Sequence, residues 1–251
     1  MTQADDIVKE FVGQEIRADK NTKSMKSLEE CVCRPIKREN NNKTSIFKPV
    51  AYSVIAATEL PARTWLWDCW IPKESFIMLG ALPKAGKTTF IYRFIEQLVH
   101  GKPFLGYAMR ATPVLLLAVE ESYYDVCSRL HKVGLVDTDP VYVHTGYLKT
   151  DKEILKDIED FVLEHKVGCI VIDTLSHCWS VLDENDNAEV GREMRKLLSL
   201  RDRTGASIVA IHHTRKNSQG GPNTGTEFRG AGALMASVDQ TIMLQRVAGQ
   251  K

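Results

Sequence analysis

Lys87 and Thr88 follow Gly86 near the end of the stretch Leu79–Thr89, which reads LGALPKAGKTT. An ammonium and a hydroxyl, side by side after a glycine, are the groups that grip the oxygens of a polyphosphate. The spacing fits a phosphate-binding loop running from Ala81 to Thr88, with Ala81 where the strict pattern has glycine. Before it, Phe76–Leu79 (FIML) is short, apolar and strand-like; after it, Phe90, Ile91, Phe94, Ile95 and Leu98 recur at helical spacing. In that context successive backbone N–H groups and the positive end of a helix make a concave anion site. Ala81, Leu82, Pro83, Lys84, Ala85, Gly86, Lys87, Thr88 and Thr89 are then the expected contacts to a nucleotide. Lys87 is expected on the β- and γ-phosphates, and the Thr88 hydroxyl on Mg²⁺. The alternative, a surface turn rich in glycine and lysine, does not account for the flanking strand and helix.

Other chemistry-bearing residues follow apolar runs further along. Val114–Val119 (VLLLAV) leads into Glu120 and Glu121, Cys169–Ile172 (CIVI) into Asp173, and Ser207–Ile211 (SIVAI) into His212 and His213. Hydrolysis of a nucleoside triphosphate needs a carboxylate to orient and deprotonate water, which is the role expected of Glu120, with Glu121 as competitor. Asp173 is expected to hold the Mg²⁺ shell; its alternative use is to cap a helix. One of the two histidines is expected at the γ-phosphate and the other in the core, because adjacent strand residues face opposite sides.

These residues need a scaffold that gathers strand ends. The segments from Phe76 onward alternate buried strand and helix: helices are expected over 123–133, 151–166 and 188–204, with further strands at 141–144 and 241–244. That alternation implies an α/β fold, a mainly parallel sheet with helices on both faces, whose ligands sit at the carboxyl ends of the strands. Residues 1–55 read as an N-terminal extension with one amphipathic helix (Ile7, Val8, Phe11, Val12, Ile16) and a polar linker at 37–43; residues 56–251 read as the catalytic domain. Trp65, Trp67 and Trp70 crowd the start of that domain, where packing is expected over base stacking.

Composition narrows the field. The 251 residues carry 33 basic and 32 acidic side chains, a net charge of +1, so no global charge announces a nucleic-acid partner. The six cysteines form no zinc-site spacing; Cys31 and Cys33 stand without a second pair. A reducing, cytoplasmic setting is expected. Met1–Lys9 has acidic residues and no apolar core, so no secretory leader is expected, and no apolar run approaches the roughly 20 residues of a membrane span.

Taken together, PKAGKTT, AVEES, CIVIDTLSHCWSVLDENDN, IHHTRK and FRGAGALMASVDQTIML resemble the RepA-type hexameric replicative helicases, RecA-like P-loop ATPases related to the DnaB helicases. The resemblance covers roughly residues 60–246 and lies in the order and spacing of the motifs. It implies a RecA-like fold, ATP and Mg²⁺ as cofactors, Glu120 as catalytic base, Arg129 on the nucleotide, and Arg229 as a finger acting on a neighbour's ATP. It also implies a homo-oligomeric ring and single-stranded DNA as partner. Arg215 and Lys216 open the Gly/Asn/Thr-rich stretch 215–229 and are the expected phosphate contacts to DNA. Two other readings stay open: a DNA-binding ATPase that loads or clamps without unwinding, and a P-loop kinase acting on a small molecule, for which 215–229 makes a poor arginine-bearing lid.

Overall fold

The computed structural model describes residues 48–59, 62–81, 85–181, 183–213 and 231–244. The expected helix at 7–16, the linker at 37–43 and the Cys31/Cys33 pair lie outside them. The chain divides into two units between residues 59 and 60. In the first, a short helix α1 (Tyr52–Ala57) has no buried residue.

The second unit begins with a two-stranded antiparallel ribbon, β1 (Trp65–Trp67) and β2 (Ile71–Pro72). Trp67 and Trp70 pack, as expected, while half-buried Trp65 carries the Arg63 guanidinium 5.1 Å over its ring. Trp67 is 1 % exposed. It stacks on Trp70 at 5.1 Å, meets Phe90, Phe94 and Phe104 at tilted angles, and donates Nε1–H to the Phe104 carbonyl at 3.1 Å. The bonded indole N–H removes the cost of burying it.

The main sheet has six strands: β3 (Phe76–Ala81), β4 (Val114–Ala118), β5 (Val141–Thr145), β6 (Cys169–Asp173), β7 (Ser207–His213) and β8 (Gln240–Leu244). Their order is β5-β4-β6-β7-β3-β8, and every pairing is parallel. Between strands run α2 (Lys87–His100), α3 (Tyr123–Val133), α4 (Lys152–Glu164), the short α5 (Leu175–Cys178), α6 (Asn187–Thr204) and α7 (Ala231–Ala236). The apolar strands are buried on both faces, and their side chains alternate between two cores. Ile77, Leu79, Leu116, Val171 and Val209 join Ile91, Phe94, Ile95 and Leu98 of α2 on one side. Phe76, Met78, Leu115, Leu117, Ile170 and Ile208 join Leu155 and Ile158 of α4 and Met194 and Leu197 of α6 on the other. The expected α/β sheet with helices on both faces is what the chain forms.

Capping residues start the helices just beyond the strand ends. Ser122 accepts from Asp125 N–H, Asp151 from Ile154 N–H, and Asp186 from Ala188 and Glu189 N–H. Glycines at positive φ stop α2, α3 and α6 at residues 101, 134 and 205. Elements α5 and α7 were not legible as helices: each is under two turns and carries no polar–apolar period.

Candidate active site at the carboxyl edge of the sheet

The connection from β3 leaps over β7 and β6 to reach β4, so the chain parts at the carboxyl edge between β3 and its neighbours. Ligands of open parallel sheets sit at such a parting. Gly86 adopts φ 89 and is the N-cap of α2, with no side chain capping the helix. A Cβ there would touch nothing within 4 Å, so backbone conformation rather than space calls for glycine. The first amides of α2 are left to an anion. Thr88 is half-buried in that first turn; Leu82, Pro83 and Lys84 lie outside the described residues.

Parallel register sets Ala81 level with His213, and Ala118 level with Asp173. Lys87, His213 and Glu120 therefore arrive together from three elements. Lys87 Nζ lies 3.4 Å from His213 Nδ1, and His213 Nε2 lies 3.6 Å from Glu120 Oε1. Burial, then the nearby Lys87 charge, hold the His213 imidazolium below its ordinary pKa. An ammonium can only donate, so the neutral ring keeps its proton on Nε2, facing Glu120. Thr174 Oγ1 donates to Glu120 Oε1, and His177 Nδ1 stands 2.8 Å from the same oxygen.

Asp173 is the last residue of β6 and 5 % exposed. The residue in the capping position of α5 is Thr174, so Asp173 is no helix cap. Burial pushes its carboxyl up to about 6; Lys87 and Arg129 pull it down, and Glu120 and Glu121 push it further up. A desolvated carboxylate beside two others suits a cation, which would restore its charge. Thr88 follows Lys87, whose charge reaches Asp173, in the first turn of α2; a hydroxyl and a carboxylate of this kind fit a magnesium ion held mainly through water and phosphate oxygens.

Glu120 and Glu121 part company. Glu121 Oε2 accepts from the Tyr92 hydroxyl at 3.3 Å and Oε1 from Arg129 at 3.0 Å, while the Arg129 guanidinium sits 5.9 Å over the Tyr92 ring. Burial raises the Glu121 carboxyl, offset in part by Arg129. Arg129 also lines a cavity of about 470 Å³ with Thr88, Thr89, Tyr92, Arg93 and Lys132, which opens beside the first turn of α2.

His212 is not brought to this edge. It is 1 % exposed and meets Trp179 edge-on at 5.7 Å, on the face opposite His213. Of the two histidines expected to part between the γ-phosphate and the core, strand alternation sends His212 into the core and leaves His213 at the edge. Arg215, Lys216 and Arg229 lie outside the described residues. His177 was missed by sequence reasoning. The signal available was its position one helical turn beyond Asp173, but nothing in a single sequence says that this turn bends toward the end of β4.

The parallel sheet, the uncapped glycine-led helix with Lys87 and Thr88, and the neighbouring acids together define a P-loop ATPase. A model of the AAA domain family matches residues 42–219, and the chain belongs to that family. No curated protein matches the chain. Among the described residues no helix is long and apolar enough to cross a membrane.

Proposed function

We propose that the chain is an ATP-hydrolysing, RecA-like motor of the RepA type, which assembles as a homo-oligomeric ring and acts on single-stranded DNA in the replication of a plasmid, phage or related element. The observation that carries the hydrolytic part is the meeting of Lys87, His213 and Glu120 at one edge, with Asp173 on the strand beside Glu120. The base comes from β4 rather than from the residue after Asp173, which is Thr174.

In this reading Lys87 and the first amides of α2 neutralise the β- and γ-phosphates. Magnesium, when bound, neutralises phosphate charge; Thr88 and Asp173 would hold it. Glu120 takes the proton of the attacking water, the O–H bond breaking as the new O–P bond forms and ADP leaves. His213 reports on the γ-phosphate from between Lys87 and Glu120. Arg129 and the cavity beside it receive part of the nucleotide, and Arg229 supports the transition state in a neighbouring subunit. Arg215 and Lys216 contact the DNA backbone.

ATP turnover with and without single-stranded DNA, a mass measurement, and strand displacement on a forked duplex test this together. Stimulation by DNA, a ring-sized mass and displacement are expected. ATP turnover with DNA binding but no displacement would leave a loader or clamp; turnover indifferent to DNA in a monomer would sink the motor reading.

A further inference from the structure

Glu120 is held by one oxygen. Thr174 Oγ1, His177 Nδ1 and His213 Nε2 all converge on Oε1, from the ends of β6 and β7. The contacts the structure gives the Glu120 carboxylate all fall on Oε1. A carboxylate gripped this way keeps one lone-pair face fixed toward the protein and the other turned outward, where a water can be oriented.

His177 is the exposed member of this set. Its side chain is 59 % accessible, yet Nδ1 is only 2.8 Å from Oε1 and 3.1 Å from Thr174 Oγ1. It sits in α5, the single turn that follows Asp173 and Thr174. Thr174 Oγ1 also meets Ser176 Oγ at 3.2 Å, so the turn is braced within itself. The Cys178 thiol leans back on the Thr174 carbonyl at 3.5 Å, and Cys178 N and O stay inside the fold, its carbonyl accepting from Thr150 N–H at 2.8 Å. The turn carrying His177 is thus anchored behind, while its imidazole reaches forward to the carboxylate.

We infer that His177 is a positioning residue for Glu120, fixing Oε1 so that Oε2 meets the attacking water. The inference rests on the assignment of Glu120 as the base. Among the described residues the polar contacts of His177 are Glu120, Thr174 and Ser176, none of them a phosphate-binding group, so its loss acts on turnover rather than on nucleotide affinity. Asparagine places an N–H close to where Nδ1 stands and so keeps the contact; alanine does not.

The test is steady-state ATP hydrolysis by the full chain with magnesium, comparing wild type, His177→Ala, His177→Asn and Glu120→Gln, alongside equilibrium binding of a fluorescent ATP analogue. His177→Ala is expected to lose about tenfold or more in kcat with KM and analogue affinity unchanged, and His177→Asn to recover most of it. Glu120→Gln is expected to be inactive. Wild-type kcat in His177→Ala beside an inactive Glu120→Gln overturns the role of His177 and leaves the base in place. Turnover in Glu120→Gln overturns both. Equal loss in His177→Ala and His177→Asn, or weaker analogue binding in either, makes the residue a general support of the fold and also overturns the inference.

Discussion

Lys87 Nζ lies 3.4 Å from Nδ1 of His213, which ties the first turn of α2 to the end of β7. The contact requires a neutral ring, and burial together with the Lys87 charge favours that form. The folded chain resists protonating His213, so stability from this group is present above the unfolded histidine value of about 6.5 and is lost as pH falls below it. Turnover is therefore expected to hold down to pH values below 6.5 before an acid limb sets in. The His213 ring signals in NMR should titrate with a midpoint below 6.5; a midpoint above it contradicts the contact.

Glu121→Gln should remain active. The side chain serves Tyr92 and Arg129, so its change should loosen nucleotide binding severalfold at most while kcat persists. An inactive Glu121→Gln beside an active Glu120→Gln would place the base one residue later.

Asp173→Asn should separate stability from activity. With its carboxyl pushed up to about 6, the folded chain binds a proton between about pH 4 and 6 that the unfolded chain has released. Stability from this group falls as pH rises through that window, by an amount on the order of 3 kcal/mol. In magnesium-free buffer at pH 7.5 the asparagine variant should melt several degrees higher than wild type, with the gap closing near pH 4. Its magnesium-dependent hydrolysis should be lost. A lower melting point at pH 7.5 would mean that the buried carboxylate is well solvated or paired.

Trp67→Ala should cost about 3–5 kcal/mol in denaturant unfolding, since the ring fills the centre of an aromatic cluster. Under native conditions the folded variant should still bind nucleotide as wild type does. Weakened nucleotide affinity at unchanged stability would instead make this a base-stacking residue.

Lys87→Ala should abolish hydrolysis, and Arg229→Ala should bind ATP, assemble and hydrolyse about 10³-fold or more slowly. Mixing the two should restore some activity, because one subunit offers an intact site and the other an intact arginine. No recovery in a mixed assembly, or full activity in a strictly monomeric protein, would remove Arg229 from the reaction.

The sheet was legible because its strands are continuous apolar runs closed by an acid or histidine, as at Leu117–Glu120 and Ile170–Asp173. Buried parallel strands carry no alternation, so the same runs could not say which face each residue takes. That is why His212 and His213 stood equal in the sequence and separate in the fold. The phosphate loop was readable from local spacing. The grip on Glu120 was not, because it joins Thr174, His177 and His213 across β4, β6 and β7, and only the order of strands brings them level.

That order also governs how the molecule comes into being. β3, which leads into Lys87 and Thr88, pairs only with β7 and β8, whose residues begin at Ser207 and Gln240. On the ribosome β4, β5 and β6 can zip together while β3 waits with both edges bare. The nucleotide pocket is therefore among the last parts to assemble, and a nascent chain shorter than about the end of β7 presents an open, apolar strand edge of the kind that invites aggregation.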